Sequence, residues 1–192
     1  MLNTKSKETL FSYIKEQSYK VGDEFTLSSG KKSNVYFNMK PIMFNVKSSS
    51  ILSYEIAVPL SRLEIDYIGG LEMGSVPITA SVVTTVSSFI RPGSMFSGFF
   101  VRKEVKKHGT QQLIEGLPYG ETLEGKRVVI LEDVTTTGQS AMKAVDIVRN
   151  EGAKVLFVQT IIDREEGAEQ YFVKNGLELK SLFKKSDFGA DQ

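Results

Sequence analysis

The stretch Val128–Ser140, V-V-I-L-E-D-V-T-T-T-G-Q-S, admits few folds. Val128 to Leu131 are four apolar, mostly β-branched residues suited to a buried strand. Two carboxylates, Glu132 and Asp133, end it, and a hydroxyl-rich turn with one glycine opens a helix. That helix carries Ala141, Ala144, Val145 and Val148 on one face. A strand-to-helix turn leaves backbone N–H groups unpaired at the positive end of the helix dipole, so it binds an anion without a lysine. Thr135, Thr136, Thr137 and Ser140 add hydroxyl donors, and Gly138 removes a side chain where the backbone must come close. Two adjacent acids repel a phosphate, so they require sugar hydroxyls, a developing carbocation or Mg2+. Threonine caps and strand-end acids are common singly; the complete run is the specific signal.

The run resembles the signature of the type I phosphoribosyltransferases: apolar residues, two acids, then a T-x-T-G-x-S-like loop. The resemblance implies an α/β fold, with a central, mainly parallel twisted sheet flanked by helices. It further implies a small hood, built from about residues 1–40 and the C-terminal segment, over a core spanning about 64–165. In that family the loop, here Val134 to Ser140 with Gln139 included, holds the 5-phosphate of 5-phosphoribosyl 1-diphosphate (PRPP). Glu132 and Asp133 would face the ribose hydroxyls.

The 192 residues suit a single domain with a sizeable core, and 41% hydrophobic content is ordinary for a globular protein. A formal charge of +1 gives no general attraction to nucleic acid or to anionic membranes, so basic chemistry must be local. With no cysteine, disulfides, thiolate metal sites and a cysteine nucleophile are excluded. The first nine residues, M-L-N-T-K-S-K-E-T, lack the apolar core of a signal peptide, and no segment is long enough to span a bilayer. A cytoplasmic location is expected.

In chain order, Thr4 or Ser6 is positioned to cap a first helix carrying Leu10, Phe11 and Ile14. Glu24 to Asn38 reads as a hairpin about S-S-G-K-K-S. It resembles the N-terminal segment of orotate phosphoribosyltransferases, where an aromatic pair, here Tyr36 and Phe37, walls the base. Many relatives carry a PRPP-contacting lysine where this chain has Ser28; Lys31 or Lys32 is the available substitute. Helical spacing recurs from Lys47 to Leu63, with Ser48 to Ser50 as caps and Pro59 kinking or ending the regular part. A short strand at Tyr67-Ile68 runs into G-G-L-E-M-G-S-V-P-I, whose three glycines within six residues indicate close approach of the backbone to something. A helix from Pro77 to Ile90 follows. By the resemblance, backbone amides of this turn, at Glu72 and Met73, hold the pyrophosphate of PRPP. Some orotate enzymes have a lysine at the position of Gly74, and its absence here shifts neutralisation onto Mg2+ and the later loop.

The strand Ser97 to Val101 empties into R-K-E-V-K-K-H-G, where Arg102, Lys103, Lys106, Lys107 and His108 fall within seven residues of a long polar segment. This pattern matches the catalytic loop of orotate phosphoribosyltransferases, which crosses to the neighbouring subunit and covers the pyrophosphate. The match assigns function to Arg102, Lys103, Lys106 and His108, makes Lys107 an ordinary surface lysine, and implies a homodimer. Lys154 to Ile162 is a strongly apolar strand parallel to the first, closed by Asp163-Arg164, where α/β sheets collect ligands. From the residues alone this pair is equally a surface ion pair. In the family an arginine here contacts the carboxylate of orotate, and a guanidinium fork suits a planar carboxylate. A short helix with Tyr171 and Phe172, a strand near Leu177 to Phe183 and a frayed polar tail complete the chain.

The resemblance implies Mg2+-dependent transfer of a phosphoribosyl group from PRPP to N1 of orotate, with Lys103, Lys106, His108 and Asp133 catalytic. Mg2+ would be held mainly through PRPP and water. Base choice would rest on Tyr36, Phe37, Thr136 and Arg164. Two rivals remain open: transfer to a purine or another pyrimidine, and a PRPP-sensing regulator that binds nucleic acid. The second predicts a basic face or an added domain, which the near-neutral charge does not supply.

Overall fold

The computed structural model describes residues 4–26, 32–90, 96–104 and 112–189. Its first half holds α1 (Thr4–Gln17), the antiparallel hairpin β1 (Tyr19–Thr26) and β2 (Lys32–Phe37), α2 (Lys40–Phe44) and α3 (Val46–Leu60). Next come β3 (Tyr67–Leu71), α4 (Ser75–Thr85), β4 (Ser97–Val101) and β5 (Ile114–Glu115). The remainder is β6 (Arg127–Thr135), α5 (Gln139–Asn150), β7 (Lys154–Asp163), α6 (Ala168–Lys174) and β8 (Leu179–Lys184).

Side chains alternate along a strand, so the continuous apolar run of β6 must be covered on both faces. Val129 and Leu131 join a core with Leu10, Ile56, Ile78 and Val82 from the N-terminal helices. Val128 and Ile130 join a second core with Ala144, Val145, Val148 and Phe172 from α5 and α6. The six strands lie in the order β5-β4-β3-β6-β7-β8, all parallel to their neighbours except the short β5. After β3 the chain builds outward to β4 and β5, then returns to place β6 on the other side of β3. The carboxyl ends of β3 and β6 therefore flank the crevice at which strand order reverses, the usual ligand position in an open α/β sheet. None of the described helices is long and apolar enough to cross a membrane.

Several local expectations are corrected. The expected frayed tail instead folds into a 3-10 turn, Lys185–Phe188, because Phe188 is an apolar anchor. Its ring lies 4.6 Å from Phe11, 5.3 Å from Tyr19 and 5.2 Å from Phe37, which ties this turn to α1 and the hairpin. Ser48 to Ser50 do not cap α3; Asn45 does, its Oδ1 accepting from the N–H groups of Lys47 and Ser48. Ser6 lies inside α1, where its hydroxyl donates to the buried Glu55 carboxylate. The helix expected from Pro77 starts at Ser75 and passes at Val86 into a π-helical turn reaching Ile90. Pro59 falls in the last turn of α3, where little of the regular helix remains to disrupt. The short α2 and β5 were too brief to leave a periodic signal.

Candidate active site

β6 does not stop at its two acids. It continues through Thr135, paired with Asp163 of β7, so Glu132 and Asp133 are held by sheet geometry rather than by a loop. Glu132 and Val134–Ala141 line a cleft, with Thr136, Thr137, Gln139 and Ser140 all on its wall. Thr135 is buried, and its Oγ1 has no hydrogen-bond partner among the described residues. Gly138 stands before α5 at φ +83°, and a Cβ there would meet the Phe172 ring at 2.9 Å. The left-handed turn and the packing from α6 both require a glycine here.

The two carboxylates differ in surroundings. Glu132 is 7% exposed, and its Oε2 is buried without a partner. Burial first, and the neighbouring Asp133 second, hold its carboxyl well above the usual carboxylate range. Asp133 Oδ1 accepts the N–H of Val134 at 2.8 Å and faces the turn after β3. A Cβ on Gly74 would stand 2.5 Å from that same oxygen. The two glycines of β3 before this turn also answer to protein neighbours: Gly69 and Gly70 abut carbonyls of Phe99 and Leu131 in the flanking strands.

Glu72 joins this turn to the start of the basic segment. Its Oε1 accepts the N–H of Lys103 at 2.8 Å, and its Oε2 lies 4.0 Å from Arg102 Nη1, which is also 3.5 Å from Glu115 Oε1. Arg102 and Lys103 thus sit beside Glu72 and Met73, whose connecting peptide is cis. Sequence reasoning assigned Glu72 only its backbone amide; an acid beside a glycine turn, thirty-one residues before a basic run, was the available clue. Lys106, Lys107 and His108, together with Ser28 and Lys31, lie outside the described residues. Among the described residues no three His, Asp or Glu side chains gather as a metal cage would need.

At the end of β7, Arg164 donates its backbone N–H to the carbonyl of Thr135, which places it beside the cleft. It forms no ion pair with Asp163. Its buried guanidinium instead bonds Ser33 of β2 and approaches Glu166, while burial raises the Asp163 carboxyl above its ordinary value. The aromatic pair is split by strand alternation. Phe37 points inward and packs on Tyr19 and Phe188, whereas Tyr36 lies on the outer face against Phe25. Ser33, by parity, shares the inward face with Val35 and Phe37.

Residues 52–186 match the phosphoribosyl transferase domain family. An orotate phosphoribosyltransferase of Bradyrhizobium diazoefficiens is 49% identical over 188 residues, 98% of each chain. The Aquifex aeolicus orotate phosphoribosyltransferase is 40% identical over 94% of this chain and 96% of its own. Among solved structures, the Mycobacterium tuberculosis orotate phosphoribosyltransferase in complex with PRPP superposes with a TM-score of 0.74 at 27% identity, covering 96% of this chain and 99% of the other. Sheet order, the crevice between β3 and β6, and this kinship agree: the chain belongs to the phosphoribosyltransferases, within them to the orotate phosphoribosyltransferase family.

Proposed function

We propose that this chain transfers the phosphoribosyl group of PRPP to N1 of orotate, giving orotidine 5-phosphate and pyrophosphate. The observation that carries the reading is the adjacency of an anion cradle, Val134–Ser140, to a buried guanidinium, Arg164, whose backbone bonds Thr135. One suits a sugar phosphate and the other a planar carboxylate, and orotate is the pyrimidine base that carries one.

As the bond from C1 of the ribose to pyrophosphate breaks, positive charge develops on the sugar, and the bond to N1 forms as N1 gives up its proton. Asp133 and Glu132 would take the ribose, whose hydroxyls would donate to the carboxylates and give the buried, unpartnered Oε2 of Glu132 a partner. The backbone at Glu72 and Met73 cradles the pyrophosphate, with Arg102, Lys103, Lys106 and His108 lowering its charge. Thr136 and the hairpin would border the base, Tyr36 from its outer face and Phe37 by the inward packing that holds β2 in place, and Arg164 would take its carboxylate. Mg2+, if bound with PRPP, would further neutralise the pyrophosphate, and the acidic pair with the unpartnered Glu132 oxygen would hold the ribose that arrives with it. Exclusion of water from the site would protect PRPP from hydrolysis. A cytoplasmic homodimer, each basic loop serving its neighbour, completes the proposal.

Protein, Mg2+, PRPP and orotate mixed together should consume orotate's ultraviolet absorbance, and Lys106→Ala and Asp133→Asn should each slow this at least about 100-fold. Unchanged absorbance with the unaltered chain defeats the orotate assignment; full rates in both variants defeat the site.

A further inference from the structure

A buried guanidinium recognises a carboxylate well only if its plane is fixed beforehand, since each of its five N–H donors points in a set direction. Arg164 is 2% exposed and meets two side chains from different parts of the chain. Nη2 donates to Ser33 Oγ at 2.9 Å, and Nε lies 3.0 Å from Glu166 Oε1. That second contact is an ion pair off the line of a hydrogen bond, so Nε makes none, and Nη1 has no hydrogen-bond partner among the described residues. The turn beneath is braced as well. Glu165, at φ +58°, donates its N–H to Asp163 Oδ1 at 2.9 Å, while its own Oε2 accepts the N–H of Ser186 at 2.8 Å.

We propose that Ser33 and Glu166 are positioning residues for the guanidinium of Arg164 and thereby set selectivity for a base bearing a carboxylate. Glu166 holds the Nε side and compensates the buried charge before substrate arrives. Ser33 takes one hydrogen of Nη2 and leaves the Nη1 hydrogens, with the second of Nη2, for a planar carboxylate. Ser33 belongs to β2 and Arg164 follows β7, so the bond also ties the hairpin to the carboxyl end of the sheet. The inference rests on the assignment of Arg164 to orotate's carboxylate.

The test measures KM for orotate and for PRPP separately in Ser33→Ala, Ser33→Thr, Glu166→Ala, Glu166→Gln and Arg164→Ala. Ser33→Ala is expected to raise the orotate KM about tenfold, the weight of one hydrogen bond to a charged group, and Glu166→Ala to raise it through loss of the ion pair that compensates the buried charge, with the PRPP KM within about twofold in both. Ser33→Thr retains an acceptor and should return most of the loss, whereas Glu166→Gln keeps the shape but not the charge and should leave the orotate KM raised. If Arg164→Ala weakens orotate while Ser33→Ala leaves its KM unchanged or raises both KM values alike, the positioning role is wrong and the function stands. If Arg164→Ala leaves the orotate KM unchanged, the underlying assignment itself falls. Should Glu166→Ala fail to fold, Glu166→Gln beside Ser33→Ala decides: a loss in Ser33→Ala that Ser33→Thr does not restore overturns the proposal.

Discussion

A Cβ added to Gly74 would lie 2.5 Å from Asp133 Oδ1, so the turn after β3 and the second acid of β6 occupy one shared space. Gly74 has φ −60° and ψ −40°, ordinary helical values, so the backbone tolerates any residue there and the conflict is with the carboxylate alone. Gly74→Ala should therefore fold nearly as well as the parent yet displace Asp133, raising the PRPP KM or lowering kcat by about tenfold or more. The same crowding explains why the lysine some relatives carry has no room here: Gly74→Lys should weaken PRPP binding, measured by titration calorimetry, rather than strengthen it.

Glu132 is expected to trade stability for function. Its folded-state pKa is raised, so the free protein is best served when the carboxyl is protonated. That contribution is fully present below the unfolded value of about 4.3 and is lost as pH rises through the folded value. Glu132→Gln removes the penalty. Its melting temperature without ligand should exceed the parent's at pH 8, with the gap closing toward pH 4, while PRPP affinity falls. A gap that widens on acidification contradicts this account of the site.

How far the residues disclosed this arrangement depends on scale. The β6 run was legible because a strand buried on both faces needs a continuous apolar string, and the acids and threonines sit in sequence beside it. The strand's continuation to Thr135 was not, since its pairing with Asp163 is a sheet property. Phe37 and Tyr36 looked like one aromatic wall in the string, but alternation sends them to opposite faces. The contacts of Arg164 with Ser33, 131 positions away, and of Gly74 with Asp133 are products of topology, and no local pattern encodes them.

Asp66 secures the strands flanking the crevice at their other ends. One oxygen accepts the backbone N–H of Arg127 at 2.7 Å and its Nε at 3.3 Å. The backbone bond first, then the side-chain bond, hold the Asp66 carboxyl below its ordinary value. A depressed acid stabilises above its unfolded pKa of about 3.9 and loses that contribution as pH falls through the folded value. Asp66→Asn should cost about 1 kcal/mol at pH 7 by denaturant unfolding, since the pair is partly solvated, and the difference should vanish under strongly acidic conditions.

Phe188 supplies the last test, because the C-terminal turn carries more of the fold than its polar sequence suggests. The ring is 5% exposed and touches Phe11 of α1, Tyr19 and Phe37 of the hairpin, and Phe183 of β8. Removing it leaves a cavity among four aromatic rings, which cannot readily collapse, so Phe188→Ala should cost about 3 to 5 kcal/mol. The loss should not stop at stability. Phe37 and Ser33 lie on the same inward face of β2, and Ser33 holds Arg164, so loosening the hairpin should raise the KM for orotate before that for PRPP. The helix α5 that opens from the cradle packs in the other core, whereas Phe188 lies in the first. Equal rises in both KM values would mean that the hairpin serves the whole cleft rather than its base end.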